Sequence, residues 1–129
     1  MEVLFRNVRE LVEKAEKENK LISEIMIEQE ILITERTREE IMSQMDRNLT
    51  VMEEAVEKGL KGVRSTSGLT GGDAVLLQAY MKKGNSLSGE LMLDAVSKAV
   101  ATNEVNAAMG TICATPTAGS AGVVPGTLF

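Results

Sequence analysis

Apolar residues recur at helical spacing through the first half of the chain. Residues 5–19 and residues 21–33 each place most of their larger apolar side chains on one face of a helix. A third helix is predicted to begin at the capping-box pair Thr37 and Glu40 and to end near Gly59, a residue suited to a C-cap. No long stretch alternates strictly between apolar and polar residues, so strands are not expected. The pattern predicts an all-α fold, a helical bundle with glycine-rich loops and no substantial sheet.

The second half of the chain predicts shorter helices separated by glycine-rich turns. One helix is expected from about residue 74 to residue 83, where Gly84 closes it. Another is expected to begin after Ser88 as its cap and to run through small residues that permit close helix packing. Because Pro116 disfavours the helical region for the residue before it, this helix should end near Cys113. A glycine-rich segment is expected from there to the last residue.

Charge and glycine are unevenly distributed along the 129 residues. Residues 1–64 hold 26 of the 33 charged side chains and two glycines, whereas residues 65–129 hold seven charged side chains and nine glycines. We therefore expect an amphipathic helical bundle over residues 1–64. Residues 65–129 should form a small-residue helical and glycine-loop segment of the same domain, and this segment must pack on something because it carries so little charge.

Composition excludes several classes of protein. The net charge is −5 without a basic patch, which argues against a nucleic-acid-binding surface. No apolar stretch is long enough, and free enough of glycine and proline, to span a bilayer, so no membrane association is expected. A single cysteine, Cys113, excludes an intrachain disulfide and makes the reducing cytoplasm the expected location. The chain has no histidine, so a Ser–His or Cys–His catalytic pair is excluded within it.

Two polar turns are the candidate sites for chemistry. The first, residues 65–73, is rich in hydroxyls and glycine and leads into a predicted helix, so its backbone N–H groups can hold an anion. The second, residues 115–122, offers several donors over a short arc. The alternative for the first turn is a plain loop with Asp73 as the helix N-cap, and the alternative for the second is a tight connection.

Three polar residues and one thiol lie late in an apolar helix or just after it. Asn103, Glu104 and Asn106 interrupt a run of small apolar residues, so they either cap a helix end, face solvent or have a function. Cys113 can be a small buried apolar residue or a metal ligand. One thiolate cannot by itself hold an iron–sulfur cluster or a structural zinc ion.

Six motifs follow one another in a recognisable order. They are FRNV at 5–8, SEIM at 23–26, MDRNL at 45–49, SGLTGGDA at 67–74, AVSKAVATNEVN at 95–106 and CATPTAGSAG at 113–122. This order resembles the alpha chain of the iron–sulfur-dependent L-serine dehydratase family, from about residue 4 to the last residue. The last two motifs are long and unusual, which makes the resemblance specific.

The resemblance implies an activity and a cofactor. In that family a [4Fe–4S] cluster is held by three cysteines, and its open iron acts as a Lewis acid on the substrate hydroxyl. A base removes the α-proton of L-serine, hydroxide leaves, and the enamine product hydrolyses to pyruvate and ammonia. Cys113 falls on the first cluster cysteine, and the other ligands are expected beyond Phe129. The chain therefore resembles a truncated or split gene product that is inactive alone.

The resemblance also implies partners and a substrate site. A companion beta domain or subunit of the same enzyme is expected, and so is a homo-oligomer. The general base stays open between Asp73, Glu104, downstream residues and the beta part. The expected L-serine-binding residues are Ser67, Gly68, Thr70, Gly71, Asp73, Asn103, Thr115, Thr117, Gly119 and Ser120.

Two other functions remain as alternatives. An assembly module would use its helices mainly to bind the beta part or another copy of itself, without catalysis, and the sparsely charged residues 85–129 favour this reading. A small anion-binding domain with no enzymatic ancestry is disfavoured by the order of the motifs.

Overall fold

The computed structural model describes residues 3–84 and 86–129 of the chain. Most of these residues are helical and no strand occurs among them, which confirms the predicted all-α class. None of the helices in these two ranges is both long and apolar enough to cross a membrane. By its internal contacts the chain divides into two compact units, Met1–Arg47 and Asn48–Phe129. The helices are α1 (Val8–Glu18), α2 (Ile22–Thr34), α3 (Arg38–Leu60), α4 (Asp73–Met81), α5 (Glu90–Ala107) and α6 (Ser120–Leu128).

In the first unit, α1 and α2 pack against each other. Asn7 caps α1 by accepting a hydrogen bond from the N–H of Glu10 at 3.0 Å. Asn19 ends α1 in the left-handed region at φ 50°, a conformation that Asn tolerates better than most residues. Ile25 of α2 is fully buried. Helix α1 is thus capped at both ends, whereas α2 has no side-chain cap at its start and buries Ile25.

The predicted capping box at the start of α3 is present. The N–H of Thr37 donates to Oε2 of Glu40 at 2.8 Å, and the N–H of Glu40 donates to Oγ1 of Thr37 at 3.2 Å. The helix ends at Leu60, close to the expected position, but Gly59 is not its C-cap. Gly62 takes the left-handed conformation at φ 95° instead. Gly59 lies against the backbone of α5, where a side chain does not fit.

An ion pair joins α2 to the start of α3 within the first unit. The guanidinium of Arg38 donates to both carboxylate oxygens of Glu24, at 2.7 and 2.8 Å. Hydrogen bonding to Arg38 holds the pKa of Glu24 below its ordinary value. A carboxylate whose pKa is lowered in the folded chain adds stability above its ordinary pKa. That stability is lost as the pH falls through the lowered value.

Replacing Arg38 with Gln is therefore expected to lower the melting temperature at neutral pH. The melting temperature of this variant should then decrease less than that of the wild type as the pH is lowered. Because both side chains of the pair are partly exposed to water, the effect should be small and should shrink further in high salt. The measurement is thermal unfolding across an acid pH series. Arg36→Gln, at an exposed neighbouring arginine, is the control. If both variants followed the wild-type acid profile, the ion pair would have no part in stability.

The second unit is built around α5, on which both α4 and α6 pack. Glycines of α6 allow its backbone to approach α5 closely. A Cβ added to Gly126 would lie 2.6 Å from the carbonyl oxygen of Ala95, and one added to Gly122 would lie 2.6 Å from that of Ala99. Close packing through small residues, which the composition of this segment predicts, is thus confirmed.

The predicted cap of α5 is wrong, although the helix begins within one residue of the expected position. The helix begins at Glu90, behind Gly89 at φ 81°, and no side chain makes a capping hydrogen bond there. Ser88 is therefore not the cap. At Gly89 the chain turns into the helix with a positive φ, a conformation that favours glycine. A pattern of apolar positions does not indicate such a turn.

The predicted end of α5 is also wrong. The helix ends at Ala107, well before Cys113. Met109 is left-handed at φ 61°, and the N–H of Gly110 donates to the carbonyl of Val105 at 2.8 Å. This pair of features forms a Schellman motif, which ends the helix before Pro116 can influence it.

The last helix, α6, lies in the glycine-rich segment at the end of the chain, where the sequence pattern predicts no helix. It contains Pro125, which removes a backbone hydrogen bond and typically costs about 3 kcal/mol inside a helix. Pro125 is fully buried, and Gly122 and Gly126 lie against α5. Packing on α5 therefore outweighs the weak intrinsic helix preference of the segment.

Candidate functional site

Residues 65–72 form a closed loop, which we call the serine–glycine loop, that leads into α4. The N–H of Ser65 donates to the carbonyl of Thr70 at 2.8 Å, and the N–H of Thr70 donates to Oγ of Ser65 at 3.1 Å. The N–H of Gly68 donates to the carbonyl of Ser65 at 2.9 Å, with Gly68 at φ 74°. Because these bonds close the loop internally, exposed residues such as Ser67 and Thr70 are carried on a preformed frame.

Gly71 and Gly72 join this loop to α4 in conformations that favour glycine, with φ angles of 129° and 94°. A Cβ added to Gly71 would lie 2.1 Å from the carbonyl oxygen of Val63 and 2.7 Å from Cα of Arg64. No atom of the described residues lies within 4 Å of a Cβ added to Gly72. Conformation and space therefore both require glycine at position 71, whereas conformation alone favours it at position 72.

A buried carboxylate on α5 caps α4. Oε1 of Glu104 accepts a hydrogen bond from the N–H of Asp73 at 2.6 Å. Glu104 is only 3% exposed, and its Oε2 atom has no hydrogen-bond partner within the described ranges. The N-terminus of a helix carries a partial positive charge, which favours a carboxylate at this place. Glu104 is therefore a cap, although of a neighbouring helix and not of its own.

Hydroxyl groups cap α6 reciprocally in the turn before it. The N–H of Thr117 donates to Oγ of Ser120, and the N–H of Ser120 donates to Oγ1 of Thr117, both at 3.2 Å. The hydroxyl oxygen of Thr115 lies 2.7 Å from that of Ser120 and 2.9 Å from the carbonyl oxygen of Thr117. These hydroxyls hold the shape of the turn. The N–H groups of Ala118 and Gly119 have no acceptor in the part of the chain that the structure describes.

The N-terminal ends of α4 and α6 lie beside adjacent residues of α5. The serine–glycine loop reaches α5 through the bond between Asp73 and Glu104. On α6, a Cβ added to Gly122 would lie 2.8 Å from Nδ2 of Asn103. The N-terminus of α4 already holds the Glu104 carboxylate, so the N-terminus of α6 is the one that favours a further anion.

Cys113 lies in the irregular chain between α5 and α6. It is half-buried, and its thiol lies 3.8 Å from the carbonyl oxygen of Ala114. Among the residues with described positions, no three Cys, Asp, Glu or His side chains come together as a metal site would require. The residues present therefore do not by themselves fit an iron–sulfur cluster, which needs several thiolates.

The structure sorts the predicted L-serine-binding residues into groups. Asp73 is exposed and meets Glu104 through its backbone N–H, and Asn103 is exposed beside α6. Sequence reasoning missed Ser65, whose hydroxyl closes the first loop, because one serine among several carries no distinguishing signal. The serine–glycine loop holds Ser67, Gly68, Thr70 and Gly71, and the turn at the start of α6 holds Thr115, Thr117, Gly119 and Ser120.

Comparison with known proteins gives consistent matches. The family model of the serine dehydratase alpha chain matches residues 17–129. The probable L-serine dehydratase alpha chain of Bacillus subtilis (strain 168) is 71% identical over 126 residues, which are 98% of this chain and 42% of that protein. The L-serine dehydratase alpha chain of Peptoniphilus asaccharolyticus is 32% identical over 126 residues, 97% of this chain and 43% of that protein. No solved structure matches the chain.

The family model covers both polar turns and the helix α5, which lies between them in the chain. The chain spans less than half the length of these two curated relatives. The family model alone covers most of the chain, from the end of α1 to the last residue. The chain therefore belongs to the serine dehydratase alpha-chain family.

Proposed function

We propose that this chain is part of an L-serine dehydratase that converts L-serine to pyruvate and ammonia by iron–sulfur-assisted elimination. The two curated relatives are named as alpha chains of L-serine dehydratase, which supports this substrate and a partner beta chain. Residues 65–129 are proposed as the segment of the catalytic domain that contacts substrate. The observation that carries the proposal is the preformed turn before α6, which leaves the N–H groups of Ala118 and Gly119 without an acceptor in the described residues.

The proposed site recognises the carboxylate of L-serine. The N–H groups of Ala118 and Gly119 lie at the start of α6 and have no acceptor in the described residues, and a helix N-terminus favours an anion. Each such interaction is worth only about 0.3–1 kcal/mol when exposed, so several must act together. The serine–glycine loop supplies further hydroxyl and backbone donors. The hydroxyls of Thr117 and Ser120 act mainly by fixing the turn.

Ser120→Ala is expected to raise the KM for L-serine in the assembled enzyme by up to about tenfold, because each lost hydrogen bond is worth about 1 kcal/mol. Oγ of Ser120 accepts from the N–H of Thr117, so the variant loosens the turn before α6. Thr127→Val, a hydroxyl lost further along the same helix, is the matched control. An unchanged KM in Ser120→Ala would remove this turn from the substrate site.

The test of the proposed function is an activity assay on the complete alpha chain assembled with its beta chain. Pyruvate formation that depends on L-serine is expected after iron and sulfide are supplied. The 129-residue chain alone should give no pyruvate, since it carries only one thiol. An assembled, iron-loaded enzyme that does not release pyruvate from L-serine would refute the proposal.

The cluster ligands are a separate question, and we derive no reaction step through the cluster. Cys113 is proposed as one ligand, on the strength of the family resemblance, with the other cysteines supplied from outside this chain. If that assignment holds, Cys113→Ser in the assembled enzyme loses iron and turnover while its helical content is kept. Full iron and full activity in this variant would show that Cys113 is only a half-buried packing residue.

A specific observation supports a second function, assembly without catalysis. Several large apolar side chains of the second unit are exposed, among them Leu76 at 67%, Leu91 at 87% and Met92 at 57%. Exposed apolar groups of this size favour contact with a beta chain or with a second copy in a homo-oligomer. Sedimentation of the chain with and without the beta chain tests this. A monodisperse monomer that does not bind the beta chain would exclude assembly as the main function.

A further inference from the structure

The proposed substrate site does not explain why Glu104 is a glutamate. Its carboxylate is almost fully buried, and only one of its two oxygens has a hydrogen-bond donor in the described chain. Burying a charged group with an oxygen left unpaired is unfavourable. A buried ionic group is weak evidence for stability, and such groups are sometimes retained because they fix one arrangement of the chain. The cap of α4 uses only Oε1, so the buried Oε2 atom adds a cost that the described contacts do not offset.

Glu104 links α5 to the residue that directly follows the serine–glycine loop. Its Oε1 atom holds the N–H of Asp73, the first residue of α4. Gly71 and Gly72, the last residues of the loop, lead directly into Asp73, and residues 65–70 are closed by their own hydrogen bonds. A shift of the Asp73 backbone would therefore move the loop as a body.

The geometry argues against Glu104 as the general base. Its Oε1 atom is already bound to the N–H of Asp73, and its Oε2 atom is enclosed by protein atoms. A base must come within hydrogen-bond reach of the proton that it removes. A substrate bound at the exposed residues of the serine–glycine loop does not reach an enclosed oxygen.

We propose that Glu104 is a positioning residue of the dehydratase reaction: it sets the place of the serine–glycine loop by holding the N-terminus of α4 on α5. This inference rests on the proposed function and deepens it. The length of the Glu104 side chain and its acceptor oxygen perform the role, and its negative charge does not.

Two conservative variants of Glu104 separate position from charge. Glu104→Gln keeps the length and an acceptor oxygen but removes the charge. Glu104→Asp keeps the charge but shortens the side chain by one carbon–carbon bond, about 1.5 Å. A displacement of about 1 Å at a substrate-positioning group can lower turnover up to about a hundredfold. We therefore expect Glu104→Asp to raise the KM for L-serine by about tenfold or more. The KM of Glu104→Gln should stay near the wild-type value.

The matched control is Ser97→Ala, which removes another buried polar contact between α4 and α5. Nε2 of Gln78 donates to Oγ of Ser97 at 2.6 Å, and Ser97 is 1% exposed. This contact lies further along α4, away from the serine–glycine loop. Ser97→Ala should lower the melting temperature but leave the KM for L-serine unchanged at equal iron content, whereas a purely structural role for Glu104 would make the two sites behave alike.

The experiment measures kcat, KM, iron content and amide hydrogen exchange of residues 65–73 in the assembled enzyme. Faster exchange of these amides and a raised KM in Glu104→Asp, with Glu104→Gln near wild type, are the expected results. Wild-type KM and wild-type exchange in Glu104→Asp would overturn the inference, and so would a large loss of kcat in Glu104→Gln. If Glu104→Asp does not fold, the Glu104→Gln result decides. The exchange measurement tests positioning even if the wild-type enzyme makes no pyruvate from L-serine. Failure of the proposed function can therefore be distinguished from failure of this inference.

Discussion

Gly59→Ala is expected to destabilise the second unit by about 1–3 kcal/mol, the range typical of an overpacked contact. The added Cβ would lie 2.3 Å from the carbonyl oxygen of Ala101, 2.5 Å from its carbonyl carbon and 2.6 Å from its Cα. All three atoms are backbone, so no side-chain rotation relieves the overlap and the end of α3 must move away from α5. The gain in helix preference from Gly to Ala, about 1 kcal/mol at most, offsets only part of this.

The control for Gly59→Ala is the same substitution at Gly119. No atom of the described residues lies within 4 Å of a Cβ added there, and its φ of −66° suits alanine. Gly119→Ala should therefore leave the free energy of unfolding unchanged or raise it slightly. Chemical unfolding of both variants, followed by far-ultraviolet circular dichroism, measures the difference. Equal stability of the two variants would mean that α3 and α5 are not in close contact at Gly59.

Gly71→Ala is expected to lower kcat/KM for L-serine in the assembled enzyme by as much as about a hundredfold, because it displaces the serine–glycine loop. Its φ of 129° disfavours any residue with a Cβ, and that Cβ would lie 2.1 Å from the carbonyl oxygen of Val63. Relief of this overlap requires the loop to move away from the chain at residues 63–64. The expected change is thus in substrate positioning as well as in stability.

Gly72→Ala is the control for the loop. Its φ of 94° imposes a conformational cost of about 1–2 kcal/mol on alanine, but no described atom lies within 4 Å of the new Cβ. It should lower stability without moving the loop by a comparable distance, so kcat/KM should fall far less than in Gly71→Ala. Steady-state kinetics at matched iron content compares the two. If both variants lost activity equally, backbone strain at this junction would be responsible, and the contact with Val63 would be irrelevant.

The differences between the predicted and observed elements follow the range of the interactions involved. The capping box of Thr37 and Glu40 was read correctly because both partners lie within one helical turn. The end of α5 was misplaced because Met109 adopts a left-handed conformation that is uncommon for its residue type. No composition or spacing rule indicates that the chain turns at Met109 in place of continuing to Pro116.

The sequence by itself determined the fold class, the first three helices and the family. Amphipathic spacing and capping residues act locally, and the order of the motifs can be recognised without knowing any contact. The sequence also marked both polar turns, since hydroxyl and glycine residues cluster there. It left open whether these turns bind a ligand or only connect helices, because both roles use the same residue types.

Only the tertiary structure decided which polar groups meet in the second unit. Glu104 caps a helix whose first residue, Asp73, lies 31 positions earlier in the chain, and no local pattern pairs them. The structure likewise decided that residues 120–128 are helical in spite of Pro125, because burial against α5 outweighs their intrinsic preference. In both cases the deciding energy comes from contacts between segments far apart in sequence. Such contacts form only when α4 and α6 pack on α5.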